Sequence, residues 1–456
     1  MTAHAACFPL GAQTAGRRYA VLGLARSGLT TVAALLAAGA VVVAWDDKAE
    51  ARDAAAALGA QIADLLTLDL AGFSGVIVSP GVPINTHPLA AHARAAHVPL
   101  LGDIELFAQS RASLPAHHVV GITGTNGKST TTALIHHLLV SAGRTAMLGG
   151  NFGLPILGQS ALPAGGVYVL ELSSYQIDLT HSLACDVTVL TNITPDHLDR
   201  YDGDFLAYAA SKQRLFTMQH ADQLAVIATD DDPCKQIASH ISHRLSRVSA
   251  GDVAAADQAA WPALQGPHNA QNVACAIAAV RGLGLTDAQI ATGLASFPGL
   301  AHRMELLGEI GGVLYVNDSK ATNAASAAPA LAAYPPLGNG PRIHWILGGV
   351  AKGDGIGECE AGLPHVARAY LIGDAAPMLA RTLGQRVANE YCGTLEKAVQ
   401  SAAAQARAGD VILLSPIAAS FDQFRDFEAR GDAFRSLVAA LAVDRGTTMH
   451  FGGNAA

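Results

Sequence analysis

The segment that most constrains this chain is an apolar strand that runs into a glycine-bracketed turn and then into a polar helix start. It spans Val119–Thr132, with Gly124, Gly127, Lys128 and Ser129 at the turn. Glycines allow backbone N–H groups to close on phosphate oxygens, and a helix N-terminus adds partial positive charge. In such loops the lysine reaches the β- and γ-phosphates and the hydroxyl faces Mg²⁺. The segment therefore predicts an ATP site.

The spacing of this turn differs from that of the common phosphate loop. The common loop reads G-x-x-x-x-G-K-[ST], whereas Ile122 stands here at the position of its first glycine. The pattern that remains is the tighter G-x-x-G-K-S. A chance loop is the competing interpretation, and the apolar strand before the turn, together with the helix after it, favours the nucleotide site.

Length and composition limit the class of protein. The chain has 456 residues, of which 50% are hydrophobic and 14% charged, so roughly two to four domains with large cores are expected. The net charge of −8 and the lack of a basic block argue against a nucleic-acid partner. No apolar run reaches the ~18 residues of a membrane span, and no signal peptide is expected at the start. We therefore expect no membrane insertion and a cytoplasmic location.

Strand-like and helical runs alternate along the chain, which predicts parallel sheets covered by helices. The polar segment Ser110–His118 suits a linker, and Phe297–His302 suits a second joint. The expected fold is α/β with three domains. Residues 1–109 would form a Rossmann-like domain, residues 110–300 a central P-loop ATPase-like domain, and residues 301–456 a Rossmann-like C-terminal domain.

The first block carries a G-x-A-x-x-G turn at Gly23–Gly28, and Asp46 and Asp47 end the next strand. This is the layout of a dinucleotide fingerprint, although Ala25 replaces its middle glycine. A nucleotide-linked ligand and a purely structural turn stay open as alternatives. An NAD-dependent oxidoreductase built on this block is one rival function, and a nucleotide-sensing regulator without turnover is another.

The central block places chemistry-bearing side chains at strand ends. Glu171 ends an apolar strand, while Asp196 and His197 follow another. Because ligands of parallel sheets bind at the carboxyl ends of strands, these residues should meet the phosphate loop. Mg²⁺ prefers oxygen ligands, so Ser129, Glu171 and ATP phosphates would suit it. The alternatives are a capping or core role for His197 and an ordinary surface position for the helical Lys212.

Three loops of the last block also follow predicted strands. They are Asn317–Asn323, the glycine-rich Gly348–Asp354, and Leu414–Gly431. Their cations, hydroxyls and helix N-termini predict a pocket for a carboxylate. Ordinary capped helices in an α/β sheet are the alternative.

Taken together, these motifs resemble those of the Mur ligases, ATP-dependent amide-forming enzymes of peptidoglycan precursor synthesis. The likeness rests on Thr123–Thr130, on Asn192–Arg200, on the pair His302 and Arg303, and on Asn317–Asn323. It runs through all three blocks. The resemblance implies an acyl phosphate, formed from a substrate carboxylate and ATP, that is then attacked by an amino acid.

Three further segments are similar to the branch of the family that adds D-glutamate to UDP-N-acetylmuramoyl-L-alanine. They are Glu171–Gln176, Gly149–Gly153 and above all Ser420–Gly431. The expected partners are therefore these two small molecules and ATP, with the enzyme a monomer. Another Mur-type ligase or a folylpolyglutamate-type ligase with a different acceptor is the alternative, although the folylpolyglutamate enzymes share the ATP loop and do not carry the Ser420–Gly431 segment.

The resemblance also implies roles for individual residues. The nucleotide would be bound by Gly124, Thr125, Asn126, Gly127, Lys128, Ser129, Thr130, Asn269, Asn272, Arg303 and Asp318. Ser129 and Glu171 would bind one Mg²⁺ and His197 a second. Lys128, His197 and Lys212 would act in catalysis, with Lys212 carbamylated to a carboxylate-like group.

Two substrate sites complete the implied set. The UDP-linked substrate would contact Leu24, Ala25, Arg26, Asp46 and Asn151. The D-glutamate pocket would consist of Lys320, Thr322, Lys352, Ser420 and Phe427.

Overall fold

Parallel strands alternate with helices along almost the whole chain in the computed structural model, which describes residues 8–196, 198–338, 340–351 and 353–445. Three sheets result, which confirms the predicted α/β class. Residues up to Ser249 form one compact unit with Asn272–Gly293, and Ala250–Gln271 form a second with the chain from Leu294 onward. The three domain limits given above stay predictions.

The first sheet has five parallel strands in the order β3-β2-β1-β4-β5. Its strands are β1 Arg18–Leu22, β2 Val41–Trp45, β3 Gln61–Ile62, β4 Gly75–Val78 and β5 Leu100–Leu101. Its helices are α1 Arg26–Ala37, α2 Ala49–Leu58, α3 Pro88–Ala95 and α4 Asp103–Ser110. The central strands are nearly continuous runs of apolar residues because helices cover both faces of the sheet.

The second sheet has six parallel strands in the order β11-β10-β9-β6-β8-β7. They are β6 His117–Thr123, β7 Ala146–Gly150, β8 Gly166–Glu171, β9 Val187–Leu190, β10 Leu224–Ala228 and β11 Leu245–Val248. The helices of this part of the chain are α5 Lys128–Ser141, α6 Ser174–Asp178, α7 Phe205–Thr217, α8 Asp232–His240, α9 Ala255–Gln258, α10 Pro267–Gly282 and α11 Asp287–Ser296. The predicted phosphate-loop strand and helix are β6 and α5.

The third sheet has six strands in the order β12-β13-β17-β14-β15-β16, and β12 alone runs antiparallel to its neighbour. Its strands are β12 Glu305–Ile310, β13 Val313–Asn317, β14 Ile343–Gly348, β15 Val366–Ile372, β16 Asn389–Gly393 and β17 Val411–Leu414. Its helices are α12 Ala324–Ala332, α13 Ala376–Leu383, α14 Leu395–Gln405 and α15 Phe427–Asp444.

An aromatic cluster joins the first two sheets within their common unit. The rings of Phe8, Phe107 and Tyr168 meet edge to face, with centroids 5.0 to 6.3 Å apart, and all three are buried. Burying one such ring is worth about 1.5–3 kcal/mol. The cluster therefore holds the first two sheets together.

Among the described residues, no helix is both long and apolar enough to cross a membrane.

Candidate active site

The turn between β6 and α5 has a backbone that only glycine accommodates easily. Gly124 and Gly127 have φ of +146° and +78°. A Cβ atom on Gly124 would lie 2.0 Å from Thr191 Oγ1, and one on Gly127 would lie 2.2 Å from Asn272 Oδ1. No side chain among the described residues caps the start of α5. The N-terminus of this helix therefore faces the turn in which the sequence predicts an anion.

The segment after β9 braces this turn. Asn192 accepts the N–H of Thr125 at 2.8 Å through its backbone oxygen, and the N–H of Asn126 at 2.8 Å through its side chain. The Thr125 hydroxyl donates to Thr194 O at 3.1 Å and accepts from Thr194 N at 3.0 Å. Because the Thr125 hydroxyl already donates its proton to Thr194 O, it accepts the hydrogen bond from the Tyr208 hydroxyl, which lies 3.0 Å away. The sequence analysis did not identify these supports, which only the pairing of β6 with β9 brings to the turn.

Lys128 turns back over the loop that precedes it. Its Nζ donates to Gly124 O at 3.0 Å and to Thr125 O at 2.7 Å. The ammonium group therefore lies at the concave side of the turn, where a phosphate would be held. Asn272 also lies here, because its Oδ1 accepts from the Thr131 hydroxyl on the first turns of α5. Ser129 is buried beside them.

Glu171 ends β8, in register with Ile122 on the neighbouring phosphate-loop strand. Its side chain is 2% exposed. One carboxylate oxygen accepts from Asn151 Nδ2 at 2.9 Å, whereas Oε2 is buried and has no hydrogen-bond partner among the described residues. A buried carboxylate oxygen without a partner is costly unless a cation or donor completes it. Glu171 thus fits the expected Mg²⁺ in both chemistry and place.

Lys212 lies on α7 and is buried, 2% exposed, so the surface alternative is wrong. Its Nζ donates to Gly124 O at 2.8 Å and lies 4.5 Å from the centroid of the Tyr208 ring. Burial, together with the positive charge of Lys128, holds the pKa of the Lys212 ammonium well below its usual range. The neutral amine is therefore favoured close to the phosphate loop.

Two predicted site residues, His197 and Lys352, lie outside the described residues. Asn269 lies on α10 in the second unit, where it is buried and donates to Gln265 O at 3.0 Å. No group of three His, Cys, Asp or Glu side chains that could hold a metal occurs in the described parts of the chain.

The turn after β1 forms a crevice at the carboxyl end of the first sheet. Leu24 N donates to Asp46 Oδ2 at 2.7 Å, and Lys48 N donates to Asp46 Oδ1 at 2.9 Å. Ala25 precedes α1, which begins at Arg26, and the guanidinium of Arg26 donates to Gly153 O in the loop after β7. Leu24, Ala25, Arg26 and Asp46 thus share one edge of the first sheet, whereas Asn151 follows β7 of the second sheet. Both oxygens of Asp46 already accept from backbone N–H groups, one in the turn after β1 and one after β2.

Asp103, which the sequence analysis did not single out, lines a small pocket in the same crevice with Ser27, Thr31 and Ser79. It is 4% exposed, and burial raises the pKa of its carboxyl to about 6. Its Oδ1 accepts from the N–H of Ile104 at 3.0 Å. In the sequence, only its position shortly after β5 indicates that Asp103 could belong to a site.

We expect Asp103→Asn to change the pH dependence of stability. Because the folded-state pKa lies above the unfolded value, ionisation costs stability as the pH rises from roughly 4 to 6. At pH 8 the wild type carries this cost in full, which is about 3 kcal/mol for a pKa raised from 3.8 to about 6. The difference in melting temperature, variant minus wild type, should therefore be more positive at pH 8 than at pH 5. The exposed Asp69→Asn is the control, and an Asp103→Asn difference that is equal at both pH values would contradict the expectation.

The third sheet presents a second buried carboxylate at its carboxyl edge. Asp318 follows β13, and its Oδ2 accepts from the Ser415 hydroxyl, which follows β17, at 2.8 Å. Its Oδ1 accepts from Met304 N at 3.2 Å. Burial raises the pKa of Asp318 to about 7. The carboxyl therefore ties two adjacent strand ends to the joint that contains Arg303.

A buried arginine organises the predicted amino-acid pocket. Arg430 on α15 is 1% exposed, and its guanidinium donates to Ser319 Oγ at 3.0 Å and to Ala418 O at 3.1 Å. The Ser319 hydroxyl in turn donates to Phe427 O at 2.8 Å. Lys320 Nζ lies 4.0 Å from the Phe427 ring centroid. The pocket loops are therefore held by a cation that the sequence analysis did not assign.

Two other predicted pocket residues occupy the same edge of the third sheet. Thr322 N donates to Lys320 O at 2.8 Å. Ser420 is buried and directly follows Ala419, which bridges to Val350 in the glycine-rich loop. All the described pocket residues thus gather where the strands end.

The joint before the third sheet has an unusual backbone. His302 and Met304 have φ of +61° and +49°, a conformation that non-glycine residues rarely adopt. His302 N donates to Glu305 Oε2, and Asn317 Nδ2 lies 3.0 Å from His302 Nδ1. A Cβ on Gly431 would lie 2.1 Å from that same nitrogen. The packing of the third sheet thus stabilises the strained joint.

Comparison with protein families finds two matches. Residues 122–261 match the Mur ligase middle domain, and residues 302–417 match the Mur ligase glutamate ligase domain. Together these matches include the phosphate loop and most of the third-sheet pocket.

Several similar proteins bear the name UDP-N-acetylmuramoylalanine--D-glutamate ligase. The protein from Sphingopyxis alaskensis is 66% identical, over 94% of this chain and 98% of its own length. The protein from Zymomonas mobilis is 53% identical over 93% and 98%, and that from Caulobacter vibrioides 47% over 94% and 96%. The likeness thus extends over nearly the whole of each chain.

Solved structures share the fold at low sequence identity. The MurF ligase of Thermotoga maritima in complex with ADP has a TM-score of 0.60 and 16% identity, over 98% of this chain and all of its own. The UDP-N-acetylmuramate-alanine ligase of the same organism has a TM-score of 0.56 and 16% identity, over 93% and 99%. These likenesses support the three-domain α/β architecture.

Proposed function

The chain belongs to the Mur ligase family, and from this premise we infer that it joins D-glutamate to UDP-N-acetylmuramoyl-L-alanine with hydrolysis of ATP. The observation that carries the inference is 66% identity to a ligase of that name over 94% of the chain. The glycine turn with Lys128 is also consistent with an enzyme that uses ATP. The protein is thus a ligase of peptidoglycan precursor synthesis.

The first step is the transfer of the γ-phosphoryl group of ATP to the terminal carboxylate of the UDP-linked substrate, which gives an acyl phosphate and ADP. Lys128 and the N–H groups at the start of α5 stabilise the charge on the transferred group. Gly124–Thr130 would hold the phosphates of ATP. By the resemblance, Asn269 and Asn272 would lie by the adenine, and Arg303 and Asp318 by the ribose and phosphates.

Mg²⁺ would be held by Ser129 and Glu171, and a second ion by His197. When bound, Mg²⁺ neutralises negative charge on the phosphate oxygens of ATP. The buried Oε2 of Glu171, for which the described parts of the chain provide no hydrogen-bond partner, supports this assignment.

We assign to Lys212 a carbamate formed with carbon dioxide. The neutral amine attacks the carbon of CO₂, so that an N–C bond forms while one C=O π bond breaks and its electron pair moves to the oxygen. The proton lost from the nitrogen passes to solvent, which leaves the carbamate anion. The buried, depressed-pKa amine supports the step because only the unprotonated form is a nucleophile. The resulting anion would balance Lys128 and the metals.

In the second step the amine of D-glutamate attacks the acyl carbon, and phosphate leaves. Lys320, Thr322, Lys352, Ser420 and Phe427 would bind the amino acid, and His197 is the candidate base. Asn151 would contact the muramoyl part of the other substrate. A cytoplasmic monomer completes the proposal, with domain limits at 109/110 and 300/301.

Phosphate release tests the inferred reaction. With ATP, Mg²⁺ and UDP-N-acetylmuramoyl-L-alanine, release should depend on D-glutamate. L-Glutamate and meso-diaminopimelate should give at most about 1% of that rate, since a pocket built around fixed polar groups rejects the wrong partner strongly. Release with meso-diaminopimelate and not with D-glutamate would assign the enzyme to another branch of the family.

A further inference from the structure

Arg200 connects two loops that belong to different sheets of the first unit. It lies in the segment after β9, and its guanidinium donates to Val82 O at 3.1 Å and to Gly81 O at 3.3 Å. The same guanidinium lies 4.4 Å from the centroid of the Tyr175 ring. In return Asn85 Nδ2 donates to the backbone oxygen of Arg200 at 2.7 Å. The loop Gly81–Asn85, which follows β4, is thus attached to Arg200 from both sides.

The 81–85 loop is a wall of the first-sheet crevice. The Ser79 hydroxyl donates to Gly23 O at 2.7 Å, and Val82 N donates to Ser79 O at 3.0 Å. A Cβ on Gly23 would lie only 2.8 Å from Val82 Cγ2. The loop therefore packs directly on the turn after β1, where the UDP-linked substrate is expected.

At its other end, the Arg200 segment reaches the phosphate loop. Asn192 and Thr194 hold Thr125 and Asn126, as described above. Asn192 and Thr194 therefore contact the phosphate turn, and Arg200, a little further along the chain, contacts the crevice wall. Tyr175 follows β8 and Glu171 closely in the chain, so the stacked ring adds a third strand end to the same connection.

We propose that Arg200 is a positioning residue that sets the distance between the uridine-diphosphate crevice and the phosphate loop. The proposal rests on the inferred ligase reaction. A substrate held at one end by its nucleotide must place a carboxylate at its other end against the γ-phosphate. Binding energy from the remote nucleotide then serves to orient the reacting group, and this works only if the two loops keep a fixed separation.

Arg200→Met tests this role, since it removes the guanidinium donors and keeps an apolar stem near Tyr175. With UDP-N-acetylmuramoyl-L-alanine, kcat should fall about 10- to 100-fold, the cost of a misplaced reacting group, while KM for ATP stays within about twofold. With N-acetylmuramoyl-L-alanine, which lacks the nucleotide, the variant and the wild type should differ by less than about threefold. Arg244→Met is the matched control, because Arg244 is exposed and donates to Asp222 O within the second sheet.

A second measurement needs no truncated substrate. Like Arg200→Met, Asn85→Ala should lower kcat with UDP-N-acetylmuramoyl-L-alanine. Because both residues hold one loop, the double variant should lose about as much as Arg200→Met alone rather than the product of the two losses. Equal melting temperatures would establish that all variants fold.

Equal losses on the full and the truncated substrate, full activity of Arg200→Met, or multiplicative losses in the double variant would each overturn the proposal. A wild type that releases no phosphate with UDP-N-acetylmuramoyl-L-alanine and D-glutamate would instead refute the inferred reaction. The two failures are therefore distinguishable.

Discussion

Replacement of Lys128 with methionine is expected to lower kcat about 10³-fold or more, the cost of losing a cation at a phosphoryl group in transfer. In the structure its Nζ lies within 3.0 Å of two carbonyl oxygens of the turn, so the ammonium is already placed where the γ-phosphate would arrive. Methionine keeps the length and the apolar stem but carries no charge. Phosphate release at saturating substrates measures the loss, and KM for D-glutamate should change little.

The control for this variant is Lys235→Met. Lys235 is an exposed lysine on α8 that pairs with Asp232 at 2.8 Å, and the same change there should leave kcat within about twofold. If Lys128→Met retained more than a tenth of wild-type kcat, the ATP-loop assignment of this lysine would be wrong.

Local patterns were enough to predict the phosphate loop and its sheet. The apolar strand β6, two glycines with positive φ and the helix α5 are adjacent in the chain, so each supports the interpretation of the next. Glu171 was also predicted, because a carboxylate at the end of an apolar parallel strand lies at the ligand edge. In both cases the information lies within a few residues of the site.

Features that depend on distant contacts cannot be predicted from local patterns. Lys212 has the local sequence of a surface lysine, and only the resemblance to the Mur ligases assigned it to the site. It is buried, and its Nζ donates to Gly124 O, 88 residues earlier in the chain. Arg430 is a buried cation on a helix whose carbonyl partners come from two strand-end loops. Nothing in the local composition of either helix marks these positions.

The antiparallel strand β12 is not evident in the sequence, for a different reason. Its register with β13 shifts between Leu306 and Gly308, and Gly308 has φ of +140°. Such a bulge interrupts the alternation of inward and outward side chains on which strand prediction depends. Strand β12 does not affect the site, because the pocket loops follow β13, β14 and β17.

The three sheets place their functional loops by one rule. Asp46 and Asp103 follow strands of the first sheet, Glu171 follows β8, and Asp318 follows β13. Each lies at the carboxyl end of a parallel strand, where helix N-termini and open backbone groups favour ligands. Burial keeps Asp103, Glu171 and Asp318 in one orientation, and two backbone N–H groups hold the half-buried Asp46. The fold thus supplies fixed edges, and the chemistry depends on which side chain stands at each strand end.

Lys212→Ala is expected to lose about 10³-fold in kcat, because an anion that orders the metals and balances Lys128 would be absent. If the acting group is the carbamate rather than the amine, a short-chain carboxylate such as formate or acetate should restore part of the activity. The cavity left by the side chain lies beside Gly124 and the Tyr208 ring, which gives such an anion room. Phosphate release with increasing carboxylate measures the rescue, and chloride at equal ionic strength is the salt control.

The rescue separates the carbamate from a merely structural lysine. An amine that only donated to Gly124 O would be replaced by a small amine such as methylammonium, and a carboxylate would not help. Wild-type activity should also fall in buffer freed of CO₂ and return when bicarbonate is added, whereas formate or acetate should not restore the activity of Lys128→Met, which retains Lys212. Rescue by methylammonium alone, or full activity of Lys212→Ala, would leave the lysine as a support of the phosphate turn. The burial that depresses its pKa would then serve only to pack α7 against that turn.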